Sequence, residues 1–444
     1  MRVCNDAPIF FSEEKLKAAP DGFCSRPAAN IIKKRDGHRK TSRDGEDVVV
    51  IMARKHIWIM PRFGVLLLLC LFYGSASGYP LSDGPFPARN DQPPTITLTA
   101  VGDIVMHQSV IQSGYDPVRR TYDFRPIFAA IRPLLTQADL SVAVLESPLS
   151  GPERRYSGYP GFNSPYAIAD AVQWAGVKLV FTAHNHALDQ GGQGVLKTLA
   201  YYDRIGLRHT GSSSAPGQPR FQLIDCRGIR LAFLACTAST NGIPTPAGRD
   251  WLVDRLDLPR IAGDIAAAKK AGADAIVLAL HSGVEYRRFP DRAKRQLFGR
   301  LLAMGVDILL GSHVHVIEPL EWQEIVAPDG RRRTCFIAYS LGNLLSNQRW
   351  RYSDCGLAVT LRLRKDPRYS HRIQILQVSR APLWVRRTLR DGRYQYLIQK
   401  LDGPKTAMAT AVPALSLNER ARLREVWYDT EELLNGWPVV EAGR

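Results

Sequence analysis

Val306-Asp-Ile-Leu-Leu-Gly-Ser-His-Val-His315 joins a short apolar run to a His-x-His pair within ten residues. The run, Val306 to Leu310, reads as a buried strand, and the histidines follow where that strand stops. The same arrangement recurs along the chain. Thr95 to Val101 alternates as a strand and ends at Gly102-Asp103, and Leu140 to Leu145 ends at Glu146. Lys178 to Thr182 leads to His184-Asn185-His186 with Asp189 close behind, and Ala275 to Leu280 leads to His281 with Glu285. Helical spacing separates these runs at Phe124–Leu135, Ala167–Ala175, Gly194–Ile205 with Gly206 as its stop, Leu258–Ala271 and Asp291–Met304. Phe221–Asp225 and Ile229–Ala235 flank Cys226-Arg-Gly228 as a hairpin. Mixed strands continue to about Val378, and a helix is expected near Leu417 to Leu433. This alternation predicts an α/β layered domain whose central strands are buried on both faces.

In such sheets the carboxyl ends of the strands form one rim, so residues far apart in sequence converge there. Taken singly, each has a plain structural reading. An Asp after Gly is a turn or cap residue, Glu146 before Ser147-Pro148 is a solvated loop charge, and His184, His186 and His281 are ordinary rim histidines. The His313-x-His315 pair resists that reading, because in extended chain residues two apart face one side and both imidazoles could reach one ion. Together the plain readings require five coincidences at one rim. Carboxylates, imidazoles and the Asn185 amide form a donor mixture suited to one or two divalent ions, manganese, iron or zinc, rather than to calcium. No thiolate is placed for a structural cysteine site.

The chain has 444 residues, 45% hydrophobic and 23% charged, which excludes a disordered polyelectrolyte. Its net charge of +17 favours an anionic partner. Zinc-finger spacing and basic faces with clustered aromatics are lacking, so nucleic acid is not expected. Arg54, Lys55 and Arg62, the apolar stretch Phe63–Tyr73 and the small residues Gly74–Gly78 follow the order of a secretory signal. The apolar core is short against the roughly 20 residues of a spanning helix. The expected division is residues 1–51 as an upstream-start artefact or cytoplasmic extension, 52–78 as signal or anchor, 79–94 as linker, 95–380 as the main domain and 381–444 as a C-terminal extension with a helix. The protein is therefore expected outside the cytoplasm, periplasmic, extracellular or held at the outer membrane face. Of seven cysteines, Cys226, Cys236, Cys335 and Cys355 lie beyond the leader, either bridged or as small buried hydrophobes.

Six motifs in order carry a resemblance: Val101-Gly-Asp-Ile104, Leu145-Glu-Ser-Pro148, Thr182-Ala-His-Asn-His-Ala-Leu-Asp189, His281-Ser-Gly-Val-Glu-Tyr286, Gly311-Ser-His-Val-His315 and Tyr339-Ser-Leu-Gly-Asn343. As a set, over residues 95 to 350, they resemble the CapA family of poly-γ-glutamate capsule synthesis, within the calcineurin-like metallophosphoesterases. The resemblance implies a four-layer αββα metallophosphoesterase sandwich. It implies Asp103, Glu146, Asn185, His281, His313 and His315 as metal ligands and His186 as the acid or transition-state stabiliser. His107, His184, Asp189, Glu285 and Asn343 stand as supporting or substrate-facing positions. Three departures appear: His184 replaces a usual Asn, Ser282 replaces a usual Trp, and the first motif lacks an Asp-x-His histidine, for which His107 is the available substitute.

These features lead to the expectation of a metal-dependent hydrolase or transferase acting on an anionic polymer or phosphoester, alongside membrane-bound capsule synthesis partners. The alternatives are a noncatalytic polyanion-binding assembly component and a general exported phosphoesterase.

Overall fold

Alternate residues of four neighbouring strands face two different cores. Leu231, Phe233, Ala235, Val277, Ala279, Ile308, Leu310 and Phe336 belong to the larger one. Their neighbours Ala232, Leu234, Ile276, Leu278, Leu280, Leu309 and Ile337 belong to a second. Such a period-two split, apolar on both faces, is what a sheet between two covering layers requires.

The computed structural model describes residues 93–435 apart from 327–329, 331, 368, 370, 371 and 411–413. The expected extension at 1–51 and leader at 52–78 lie outside the described residues, as does nearly all of the 79–94 linker. Among the described residues no helix is long and apolar enough to cross a membrane.

The sheet just described runs, in spatial order, Leu320–Val326, Arg332–Ala338, Ile308–Ser312, Ala275–His281, Ile229–Thr237 and Gln222–Cys226. Its four inner strands are parallel, and both edges pair antiparallel. The other sheet runs Arg393–Lys400, Ile373–Arg390, Cys355–Lys365, Thr95–Ile104, Leu140–Leu145, Leu179–Phe181 and Arg208–Thr210, with Asn343–Leu345 also pairing to Thr95–Ile104. The larger core draws on both sheets. Helices Leu258–Lys270 and Arg292–Met304 close the second core with Ile261, Ile265, Phe298, Leu301 and Leu302. Each such side chain removed from water contributes about 1.5–3 kcal/mol. Asp257 and Asp291 cap these helices by accepting from the Arg260 and Lys294 amides. Helices Ala167–Ala175 and Gly191–Ile205 bury Ile168, Val172, Val195 and Leu199 in the larger core. The result is the αββα layering implied by the resemblance.

Several expected elements shift. The helix expected over Phe124–Leu135 is two short helices, Arg125–Phe128 and Arg132–Gln137, joined by a 3-10 turn at Ala129–Ile131. Pro126 and Pro133 each sit in a first turn, where the missing N–H is tolerated, and Pro133 cannot continue the preceding ladder. The domain edge expected after residue 380 falls inside the 18-residue strand Ile373–Arg390. That strand pairs along its length with Cys355–Lys365 and Arg393–Lys400, so this part of the tail belongs to the sheet. Helix Leu417–Asn435 packs on the same strand, with Arg380–Glu431 and Arg386–Glu419 ion pairs across the contact. Among the described residues, Cys226, Cys236, Cys335 and Cys355 are free, and the last three are buried.

Two glycines bring backbones close below the rim. A Cβ on Gly311 would lie 1.8 Å from the Tyr339 carbonyl oxygen, and one on Gly102 would lie 2.0 Å from that of Gly342. Neither obstacle is a flexible side chain. Gly311→Ala should lower stability by about 1–3 kcal/mol or more, read as a lower urea midpoint, whereas Gly299→Ala on a helix with open space around it should not.

Candidate metal centre

The strand ends deliver the rim as a set. Asp103 is the penultimate residue of Thr95–Ile104, Glu146 follows Leu140–Leu145, His281 ends Ala275–His281, and His313 follows Ile308–Ser312. Their donor atoms fall into two groups. Glu146, His281 and His313 form one, Asp103, Glu146 and His315 the other, with the atoms in each group within 4.8 Å of one another. Glu146 is common to both.

In the first group, His281 Nε2 lies 3.5 Å from Glu146 Oε1 and 2.8 Å from Asn185 Oδ1, so the Asn185 amide faces the same space. Behind it, His281 Nδ1 pairs with Ser312 Oγ at 2.9 Å, which orients the ring. In the second group, His315 Nδ1 lies 3.8 Å from Asp103 Oδ2 and 3.9 Å from Glu146 Oε2. Asn343 supports this ring through Oδ1, 3.1 Å from His315 Nδ1, while its own amide donates to the His315 and Ser353 carbonyls.

The expectation that His313 and His315 serve one ion from extended chain is corrected. Both have positive φ, 93° and 60°, so the segment turns between them and sends one ring to each group. Left-handed backbone at two non-glycine residues is strained, and such strain is held only where surrounding structure fixes it.

Burial dominates the electrostatics. Asp103 and Glu146 are fully inaccessible. Burial, followed by the Glu146 charge, raises Asp103 well above the usual carboxylate range. Burial pushes Glu146 up to about 8, with the His186 cation opposing. Burial likewise lowers His281 and His315 well below the ordinary imidazole range and His313 to about 3. The imidazoles are therefore neutral, and each keeps one ring nitrogen whose lone pair could coordinate. Asp103 Oδ1, both Glu146 oxygens and His313 Nδ1 are buried without a hydrogen-bond partner. Unpaired buried oxygens are strongly unfavourable, and a divalent cation is the partner their chemistry fits. The residues present therefore fit a divalent cation at either donor group, and Glu146 belongs to both.

His186 lies beside these groups and in neither. Its Nδ1 is 2.8 Å from Asp189 Oδ2, which also accepts from the Phe162 amide at 2.9 Å. Burial lowers this imidazole, but the Asp189 hydrogen bond and the Glu146, Asp189 and Glu285 charges outweigh it, leaving a net rise.

The remaining expected residues are placed as follows. Glu285 is exposed at the rim and felt electrostatically by Glu146 and His186. His184 is buried behind His281, its ring 6.1 Å away and its Nδ1 unpartnered. His107 packs edge-on to Phe162 at 5.7 Å, and its Nδ1 accepts from the Asn347 amide. Burial lowers it to about 4, and it belongs to neither donor group. The proposed substitution of His107 for the missing Asp-x-His histidine thus finds no support in the donor geometry.

Sequence reasoning missed three supporting residues. Asn241 bonds Asn185 and approaches His186 Nδ1 at 3.4 Å, but Asn241-Gly242 reads in sequence only as a turn signal. Ser312 looks like a spacer. Lys294 reads as a solvated helix charge, yet it is 6% exposed and paired with the 1% exposed Glu318. Its charge acts on Asp103.

The signs of these shifts fix a pH dependence for the chelated protein. A carboxyl raised from 4.5 to about 8 binds more protons folded than unfolded in that interval, so stability falls as pH rises through it. Histidines lowered from 6.5 oppose this trend only below pH 6.5. The metal-free thermal midpoint should therefore fall between about pH 6.5 and 8, and Glu146→Gln should flatten that fall. Added Mn(II) should raise the midpoint more at the upper end, since ligands must be deprotonated. A midpoint rising across this window would contradict the assignment.

Residues 97–348, more than half of the chain, match the family described as Bacterial capsule synthesis protein PGA_cap. The capsule biosynthesis protein CapA of Bacillus anthracis is 25% identical over 296 residues, 64% of this chain and 68% of that protein. The PGA biosynthesis protein CapA of Bacillus subtilis is 25% identical over 329 residues, 70% of this chain and 78% of that protein. Among solved structures, the chain is similar at 12% identity to the NAD nucleotidase of Haemophilus influenzae, with a TM-score of 0.42 over 77% of this chain and 67% of that one. It is also similar to the calcineurin-like phosphoesterase YfkN of Bacillus subtilis, at 12% identity and a TM-score of 0.36 over 76% and 99%. This chain belongs to the bacterial capsule synthesis protein family PGA_cap.

Proposed function

We propose that this is an exported, metal-dependent protein that acts on poly-γ-glutamate or a related anionic polymer in capsule synthesis or processing, by hydrolysis or group transfer. The observation that carries the reading is the pair of buried donor groups sharing Glu146. Asp103, Glu146, Asn185, His281, His313 and His315 would hold two divalent ions, manganese, iron or zinc. When bound, these ions supply Lewis acidity toward a carbonyl or phosphoryl oxygen and acidify water. The names of the similar capsule and PGA biosynthesis proteins support the process, and the net charge of +17 supports an anionic polymer. The Arg54 to Gly78 pattern supports export, with membrane-bound capsule synthesis proteins as partners.

The chain's own part in the reaction centres on His186. The Asp189 hydrogen bond engages Nδ1 and leaves Nε2 as the atom that can deliver a proton to a leaving group. Its raised pKa keeps the acid form populated nearer neutrality, as a general acid needs. The buried Lys294–Glu318 pair holds a cation near Asp103 without entering either donor group.

Metal analysis after mild purification should find a transition metal, and turnover of a generic phosphodiester or of poly-γ-glutamate should be lost with chelator. His186→Ala should keep the metal and lower turnover by about 10²–10⁴-fold. Absence of both bound metal and chelator-sensitive turnover would sink the catalytic reading. Intact capsule formation in a His186→Ala strain would favour a noncatalytic assembly role.

A further inference from the structure

A cavity of about 520 Å³ has a lining that includes Gln108, Gln112, Tyr115, Tyr122, Tyr156 and Arg393. Three of the phenol rings form a cluster: Tyr115 and Tyr122 are 5.1 Å apart, and Tyr122 meets Tyr156 edge-on at 5.4 Å. Arg387 lies 4.2 Å over the ring of Tyr394, another lining residue, which brings a second guanidinium to this region. Among the described residues, no lining side chain is a carboxylate.

The segment 156–162 links the cavity lining to the surroundings of His186. Helix Gln108–Ser113 starts immediately after His107. The segment 156–162 docks on that start, with the Gly158 amide donating to Gln108 Oε1 and no room for a Cβ, which would meet the Gln108 nitrogen at 2.3 Å. Tyr156 of this segment faces the cavity, while Tyr159 and Phe162 place their rings 6.3 Å and 4.6 Å from His186.

We propose that this cavity is a subsite for an acidic, amide-linked chain, holding a carboxylate-bearing unit remote from the bond presented to His186. The inference rests on the reading that the rim acts on such a polymer. Each wall component has a matching group in that ligand. Arg393 pairs with a side carboxylate, Gln108 and Gln112 exchange hydrogen bonds with chain amides, and the tyrosine faces pack on methylene stems. Burial followed by the Tyr122 neighbour pushes the Tyr156 phenol up to about 12, so it stays a neutral donor. The Arg393 guanidinium in a lining that lacks carboxylates favours an acidic chain over a neutral polysaccharide.

Calorimetric titration of the full chain with a γ-glutamyl decamer and with the γ-glutamyl dimer tests the proposal. Arg393 is exposed beside a hairpin turn, so Arg393→Ala should fold, which its thermal midpoint checks; Gln112→Ala, on an exposed helix position, is the second variant. The expected result is about tenfold weaker decamer binding in Arg393→Ala, a smaller loss in Gln112→Ala, and dimer affinity within about twofold of the unsubstituted protein. Decamer affinity untouched by both substitutions, or equal losses for dimer and decamer, overturns the subsite and leaves the proposed function standing. An unsubstituted protein that binds no decamer overturns both. Displacement of the decamer by uncharged dextran assigns the cavity to a polysaccharide instead.

Discussion

The segment Tyr339–Gly342 leaves one sheet after Arg332–Ala338 and enters the other at Asn343–Leu345, and the site depends on how closely it lies against the strand ends of both. Gly102 lies against the Gly342 carbonyl, whose oxygen also accepts the Asp103 amide at 2.9 Å. Gly311 lies against the Tyr339 carbonyl, and the His313 amide donates to Asp103 Oδ2 at 3.0 Å. A side chain at either glycine would push that strand end away from the segment. Because both ends lie against it, a carboxylate from one sheet and imidazoles from the other reach the same few ångströms around Glu146.

That closeness produces an electrostatic demand. Two carboxylates are removed from water with several oxygens unpaired, and burial strips nearby imidazoles of their charge. An apolar core of this shape would be the more stable arrangement in a metal-free protein. The positive φ values at His313 and His315 add strain at the same place. The fold is tolerant of this because two continuous cores surround the rim, and their burial is far larger than the local penalty.

Much of this was legible in sequence because the signals are local. A buried parallel strand shows as a short apolar run, and the residue after it belongs to the rim whatever lies beyond, so Asp103, Glu146, His281 and His313 could be read from position. What was not legible depends on tertiary contact. The division of His313 from His315 follows from two left-handed residues that have no glycine signature. Lys294 sits on a helix with an ordinary polar pattern, and only the approach of Glu318 accounts for its burial. The strand Ile373–Arg390 carries scattered arginines that mask its alternation, and some of them are taken up by Glu431 and Glu419 on the last described helix.

The donor groups and the candidate acid are supported differently. The candidate donor side chains stand on strand ends locked by backbone contacts, a rigid platform of the kind a metal centre requires. His186 instead follows a strand by a short loop, and its orientation depends on Asp189. That carboxylate accepts both the imidazole and the Phe162 amide, so the acid and the 156–162 segment share one anchor. Phe162 also packs its ring edge-on with His186 at 4.6 Å, and His107 packs edge-on with Phe162 at 5.7 Å. The position of the His186 imidazole is therefore tied to the 156–162 segment through Asp189 and Phe162, while the donor geometry is set by the sheets.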